Sequence, residues 1–246
     1  METPHGYVSN GNNLVGLGAV LALGLVTSTF VGVRALERSR ASEIAVKGYA
    51  ERKIISDHGV WRGHFTVRGE TLVGTYDALR KHQAVVNAWL KKQGVNDAEL
   101  SSVTTSIEHR RAPNGTETNE IEGYVLAQGV TVEGGDIALI SKVATQSTEL
   151  IESGVAFESD QPLWFYTKLD DLKIEMLGAA AKDARVRAER IAKESKGSVG
   201  GLRSADQGVF QITAPTSTEV SGFGELDTSS VQKSVKAIVT VRYAVD

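Results

Sequence analysis

Glu43–Ile55 reads EIAVKGYAERKII and His58–Glu70 reads HGVWRGHFTVRGE. The first run is rich in β-formers, with Ile44, Val46 and Tyr49 along it and Gly48 as a bulge or close approach. The second alternates. Val60, Arg62, His64, Thr66 and Arg68 share one parity, and Trp61, Phe65 and Val67 share the other. Ser56-Asp57-His58-Gly59 joins the two runs, and the pattern predicts a β-hairpin. A helix is expected directly after it, over Thr71–Gln93, where Leu72, Tyr76, Leu79, Val86, Trp89 and Leu90 recur at three- and four-residue steps. Lys91 and Lys92 in its last turn and Gly94 beyond it form a stop.

The rest of the chain repeats this alternation of strands and helices. Strands are expected over Leu100–Arg111 and Ile121–Glu133, around the polar turn APNGTETNE. Asp136 is placed to cap a second helix with Ile137, Ile140, Ala144 and Ile151 on one face and Gly154 at its end. Phe157–Lys168 reads as a strand bent or placed at an edge by Pro162. A third helix runs over Asp170–Lys196, with acids in its first turn, lysines in its last, and Gly197 after it. Its expected buried stripe is Leu172, Met176, Ala180, Ala184 and Ile191; Asp183–Arg187 and Glu189–Lys193 are spaced to pair on the wet side. Short strands over Val199–Leu202 and Val209–Thr213, a polar loop over Ala214–Ser230 and a last strand over Ser234–Val245 complete the order β-β-α-β-β-α-β-α-β-β. The expected class is α+β: a largely antiparallel sheet with helices packed on one face.

Upstream, Leu14–Val33 holds no charge over twenty residues. As a helix it is about 30 Å long, the thickness of a bilayer's hydrocarbon core. The expected organisation is a short tail (1–13), a transmembrane anchor (14–33), a juxtamembrane linker (34–42) and one folded domain (43–246). The tail lacks Lys and Arg, and no A-x-A site follows, so the segment reads as an uncleaved anchor. Arg34, Arg38 and Arg40 after it would place the body in the cytoplasm by the positive-inside rule. Gly24, Ser28 and Gly32 form a small-residue stripe suited to helix self-association in lipid, and Gly18 with Ala22 has the same spacing.

The chain carries 27 basic and 30 acidic residues, a net charge of −3, and no cysteine. The mildly acidic balance gives no footprint for nucleic acid. Without cysteine, disulfides, cysteine nucleophiles and thiolate metal sites are excluded. No G-x-S-x-G, G-x-x-x-x-G-K-[ST], G-x-G-x-x-G or H-E-x-x-H is present, so no catalytic, cofactor-binding or metal residues are assigned. The weak candidates are the turn Asp57-His58, as an acid–base pair, and His58 with His64, six apart on one parity, for a metal. Both have a plainer reading as turn and surface residues. Arg185, Arg187 and Arg190 read as an ion-paired face before they read as an anion site.

Taken in order, several residues resemble the SIMPL (DUF541) family. They are I-A-V-K-G-Y-A-E at Ile44–Glu51, Gln93-Gly94-Val95 with Asp97 and Thr104-Thr105-Ser106, and Gly123-Tyr124. The Ala184, Ala188, Ala192 helix and the Val239–Tyr243 strand complete the set. Where the family has Pro-Asp-x-A after the first strand, this chain has Ser56-Asp57-His58-Gly59. The variant looks like an inner-membrane-anchored bacterial branch. The resemblance implies a periplasmic body, against the arginine charge signal, a link to oxidative-stress defence and homo-oligomers, which in some members of the family are large rings. It implies no catalytic residues. The expectation is a non-catalytic envelope assembly protein. The alternatives are a small-ligand or envelope-stress binding module using the sheet face and Trp164, and a hydrolase using Asp57 with His58 or His64.

Overall fold

The computed structural model describes residues 24, 28, 29, 33, 43–217 and 221–245. Within 43–245 the elements are β1 (Glu43–Ile55), β2 (His58–Gly69), α1 (Leu72–Gln93), β3 (Glu99–Leu100), β4 (Thr104–Arg111), β5 (Glu117–Gly134), α2 (Ile137–Gln146), α3 (Glu149–Glu152), β6 (Ala156–Ser159), β7 (Leu163–Phe165), α4 (Leu169–Glu194), β8 (Val199–Gln207), β9 (Gln211–Thr213), β10 (Glu225–Leu226) and β11 (Gln232–Val245). The class is α+β.

Two sheets form where one was expected. The first has five strands, ordered β1-β11-β9-β10, with β8 also on β11; its β9–β10 pair is parallel. The second has six antiparallel strands, ordered β3-β5-β2-β6, with β4 on β5 and β7 on β2. β1 and β2 therefore belong to different sheets, and the expected hairpin at Ser56–Gly59 does not exist. The segment is a crossover. Ser56 donates its N–H to the Val231 carbonyl (2.8 Å), and Asp57 donates its own to the Phe165 carbonyl (3.0 Å). Gly59 is no turn glycine: an added Cβ would lie 2.5 Å from the Trp164 ring. The local β-pattern predicts both strands but carries nothing about which partner each takes.

The chain divides into two compact units, residues 49–182 with 207–239 and residues 1–48 with 183–206 and 240–246. The first unit holds the larger core. Trp61, Phe65 and Val67 on β2 and Leu126, Val130 and Val132 on β5 are buried, as the alternation predicts, with Leu79, Val86 and Leu90 of α1 and Ile140 and Val143 of α2 packed in the same cluster. Thr71 caps α1 through its hydroxyl, and Gly94, in the left-handed conformation, closes it. Asp136 caps α2 through Leu139 N–H (2.9 Å). The expected second helix breaks at Ser147, so Ile151, expected on its apolar face, is exposed and Leu150 is buried instead. Pro162 divides the expected strand over 157–168 into β6 and β7.

In the second unit Ala184, Ala188 and Ala192 are buried along α4, and Ile191 is half exposed, so the stripe follows the small residues. Arg185 donates to the carbonyls of Gly200 (3.0 Å) and Val199 (3.2 Å) and lies over the Tyr243 ring at 5.1 Å. Lys196 takes a positive φ of 58° just past α4, where Gly197 was the expected stop.

Of the expected anchor, Gly24, Ser28, Thr29 and Val33 are helical and exposed. Gly32, the tail 1–13 and the linker 34–42 lie outside the described residues. No helix among the described residues is long and apolar enough to cross a membrane.

Candidate functional site

The sequence candidates are placed apart. Both carboxylate oxygens of Asp57 accept from Thr167, one from its N–H (2.7 Å) and one from its hydroxyl (2.8 Å). Burial pushes the Asp57 pKa up, but these two donors outweigh it and hold the carboxyl below its ordinary range. Asp57 thus ties the sheet crossover to the start of α4, and no acid–base pair with His58 is assembled. His58 and His64 sit six residues apart on β2, about 20 Å at strand rise, too far to share an ion. His64 instead faces its cross-strand neighbour Glu158 at 3.1 Å. Among the described residues no group of three His, Asp or Glu could hold a metal. Arg185, Arg187 and Arg190 pair with Glu189, Asp183 and Glu194. Trp164 is buried at the edge of a cleft of about 400 Å³ with Ser141, Asp160 and Pro162.

A different region is built with more effort than the chain's connectivity requires. Lys233 is 2% exposed. Its Nζ donates to the carbonyls of Asp227 and Ser230, both at 2.6 Å, and lies 3.8 Å from the Asp227 carboxylate. Asp227 accepts from Ser229 N–H and hydroxyl (both 2.7 Å) and from the Ser230 hydroxyl. Burial raises the Asp227 pKa; the Ser230 and Ser229 hydroxyls, the Ser229 N–H and the Lys233 charge overcome this and hold it at about 2. Burial lowers the Lys233 pKa, against the opposing pull of Asp227. The knot fixes residues 227–233, to which Ser56 and Trp164 donate backbone N–H groups at Val231 and Thr228.

Just before the knot the chain forms a second rigid turn. Gln211 is buried on β9 and uses its whole amide on Ser221: Nε2 donates to the Ser221 carbonyl (2.6 Å) and Oε1 accepts from its N–H (3.3 Å). Phe223 donates its N–H to the Ser221 hydroxyl (3.2 Å), and Gly224 turns the chain with φ +86°, a conformation that favours glycine. The turn leaves Phe223 100% exposed. Leu226 on β10 is 59% exposed and Val209 is also exposed. Phe223, Val209 and Leu226 line an open groove of about 600 Å³ with Leu169, Phe210 and Ile212. β10 pairs with β9 and ends the sheet order, and among the described residues no strand pairs with its other edge. Side chains this apolar, held outward by a hydrogen-bonded turn beside an open edge, are the anatomy of a contact surface. The Gly222-Phe223-Gly224 triplet was the available signal, hidden in a stretch that reads as polar loop.

The fold and this surface define an α+β protein with a built apolar edge. The family model for SIMPL, a protein of unknown function (DUF541), matches residues 44–243, and the chain belongs to that family. No curated protein matches it. A solved structure from Burkholderia cenocepacia, named as an amidohydrolase/peptidase, shares 20% identity over 55% of this chain, with a TM-score of 0.20. The match spans about a third of that protein's length (34%), and a likeness this low carries no argument about fold or activity.

Proposed function

We propose that the protein is a membrane-anchored, non-catalytic assembly unit of the bacterial envelope. Residues 14–33 are the anchor in the inner membrane, residues 43–246 the periplasmic body, and homo-oligomers form through the Phe223 edge. One observation carries this reading: Phe223 is fully exposed yet held by a turn in which Gln211, Ser221 and Gly224 are all committed. The uncharged twenty-residue stretch supports the anchor, and the stripe Gly24, Ser28 and Gly32 would add contacts between anchors. The periplasmic side and a place in oxidative-stress defence rest on the family resemblance. The mass of the full chain in mild detergent, with and without Phe223→Asp, tests the assembly.

A second reading, a small-ligand binding module, has one observation in its favour, the cleft beside Trp164. A ligand there would raise the unfolding temperature with the logarithm of its concentration above Kd, and Pro162 or Asp160 substitutions would remove the effect.

A further inference from the structure

Charge is sorted between the two units. The unit of residues 1–48, 183–206 and 240–246 holds 11 basic and 8 acidic residues, a net +3, in a chain that is acidic overall. The other unit holds 16 and 22, a net −6. Within the basic unit, a cleft of about 470 Å³ lies between the start of β1 and the last turns of α4, lined by Ala45, Val46, Lys47, Arg187, Arg190 and Ile191. Asp183 meets Arg187 at Nε (2.7 Å) and Glu194 meets Arg190 at Nε (3.3 Å). The forked amino ends of both guanidiniums carry no other hydrogen bond among the described residues. Lys47 makes no ion pair among the described residues. Val46 is buried and Ile191 is half exposed.

We propose that this cleft binds the anionic headgroup of a membrane phospholipid. Three cations over an apolar floor suit a phosphodiester with hydrocarbon beside it, since guanidiniums fork onto phosphate oxygens and the apolar side chains meet the glycerol and acyl carbons. The source is the membrane because of the chain's path. Ala45 follows Val33, the end of the uncharged stretch, by twelve residues, which span at most about 40 Å when extended. This inference rests on the membrane anchor proposed above, and on neither the assembly nor the compartment.

The chain has no cysteine, so Val186→Cys gives a unique labelling position, exposed and one helical turn before Arg190 on the same face. The full chain carrying a polarity-sensitive dye there is placed in nanodiscs of phosphatidylcholine or of phosphatidylglycerol. Docking moves the dye emission to the blue in phosphatidylglycerol only. The combined K47Q, R187Q and R190Q change lowers the docked-to-undocked ratio by about 100-fold, roughly fivefold per charge. Identical emission in the two lipids, or a blue shift that survives the triple change, overturns the proposal while leaving the anchor intact. A shift produced in phosphatidylcholine by inorganic phosphate alone also overturns it, by assigning the cleft to free anions. Failure of the chain to enter either nanodisc overturns the proposal and the anchor together.

Discussion

The ammonium of Lys233 and the carboxylate of Asp227 lie 3.8 Å apart, yet the stronger contacts of Lys233 are with main-chain oxygens, at 2.6 Å from Asp227 and 2.6 Å from Ser230. The lysine acts as an internal clasp that closes the 227–233 loop onto the base of β11. Removing its charge leaves two partly buried carbonyls without their donor and takes the neighbouring cation from the carboxylate. Lys233→Met is expected to destabilise the chain by about 2–4 kcal/mol, read as a lower denaturant midpoint.

The same clasp sets a pH dependence. The Asp227 carboxyl is held at about 2, below its ordinary 3.8. A depressed folded pKa gives stability that is present above the unfolded value and lost as pH falls through the folded one. Stability should therefore fall between about pH 4 and pH 2. Asp227→Asn should flatten that part of the profile in denaturation curves taken across the range.

Asp57 and Thr167 form a second tie, with both carboxylate oxygens engaged. A double-mutant cycle of Asp57→Ala and Thr167→Val is expected to show a coupling of about 1 kcal/mol in unfolding free energy. A hydrolase role would instead leave stability unchanged in Asp57→Ala, so additive, negligible effects would contradict the structural assignment.

Gly63 faces Phe157 across the β2–β6 pair, and an added Cβ would sit 2.4 Å from that ring. Phe157 also stacks on Trp61, with ring centroids 5.9 Å apart. Gly63→Ala must displace packed aromatic atoms and should cost about 1–3 kcal/mol. Thermal unfolding measures it, and the paired change Gly63→Ala with Phe157→Leu should recover part of the loss.

Much of the fold is legible in the chain. The alternation along β2 and β11 fixes their inward faces, and Thr71, Gly94 and Asp136 mark helix ends through local capping chemistry that sequence displays directly. Partner choice is not local, so the Ser56–Gly59 link reads as a turn although it carries the chain between sheets. Ile151 and Ile191 attract a burial assignment by hydrophobicity alone. A helix break at Ser147 and close packing along Ala184, Ala188 and Ala192 decide otherwise. Lys233 was within reach: stepping back along the inward parity of Tyr243, Val241, Val239, Ala237 and Val235 lands on it. What hides it is its charge, which becomes tolerable only with the acceptors of Asp227 and Ser230 in place. The Phe223 edge is least legible, because exposure of an aromatic side chain is a property of the assembled turn.

The most direct measurement is the mass of the full chain in mild detergent by light scattering over a concentration series, beside Phe223→Asp and Leu226→Asp. Both side chains are exposed, so each change should leave thermal stability within about 0.5 kcal/mol of the parent. A defined oligomer in the parent that dissociates in both variants is the expected result. A parent that stays monomeric across the series, or an oligomer indifferent to both substitutions, would contradict assembly through this edge.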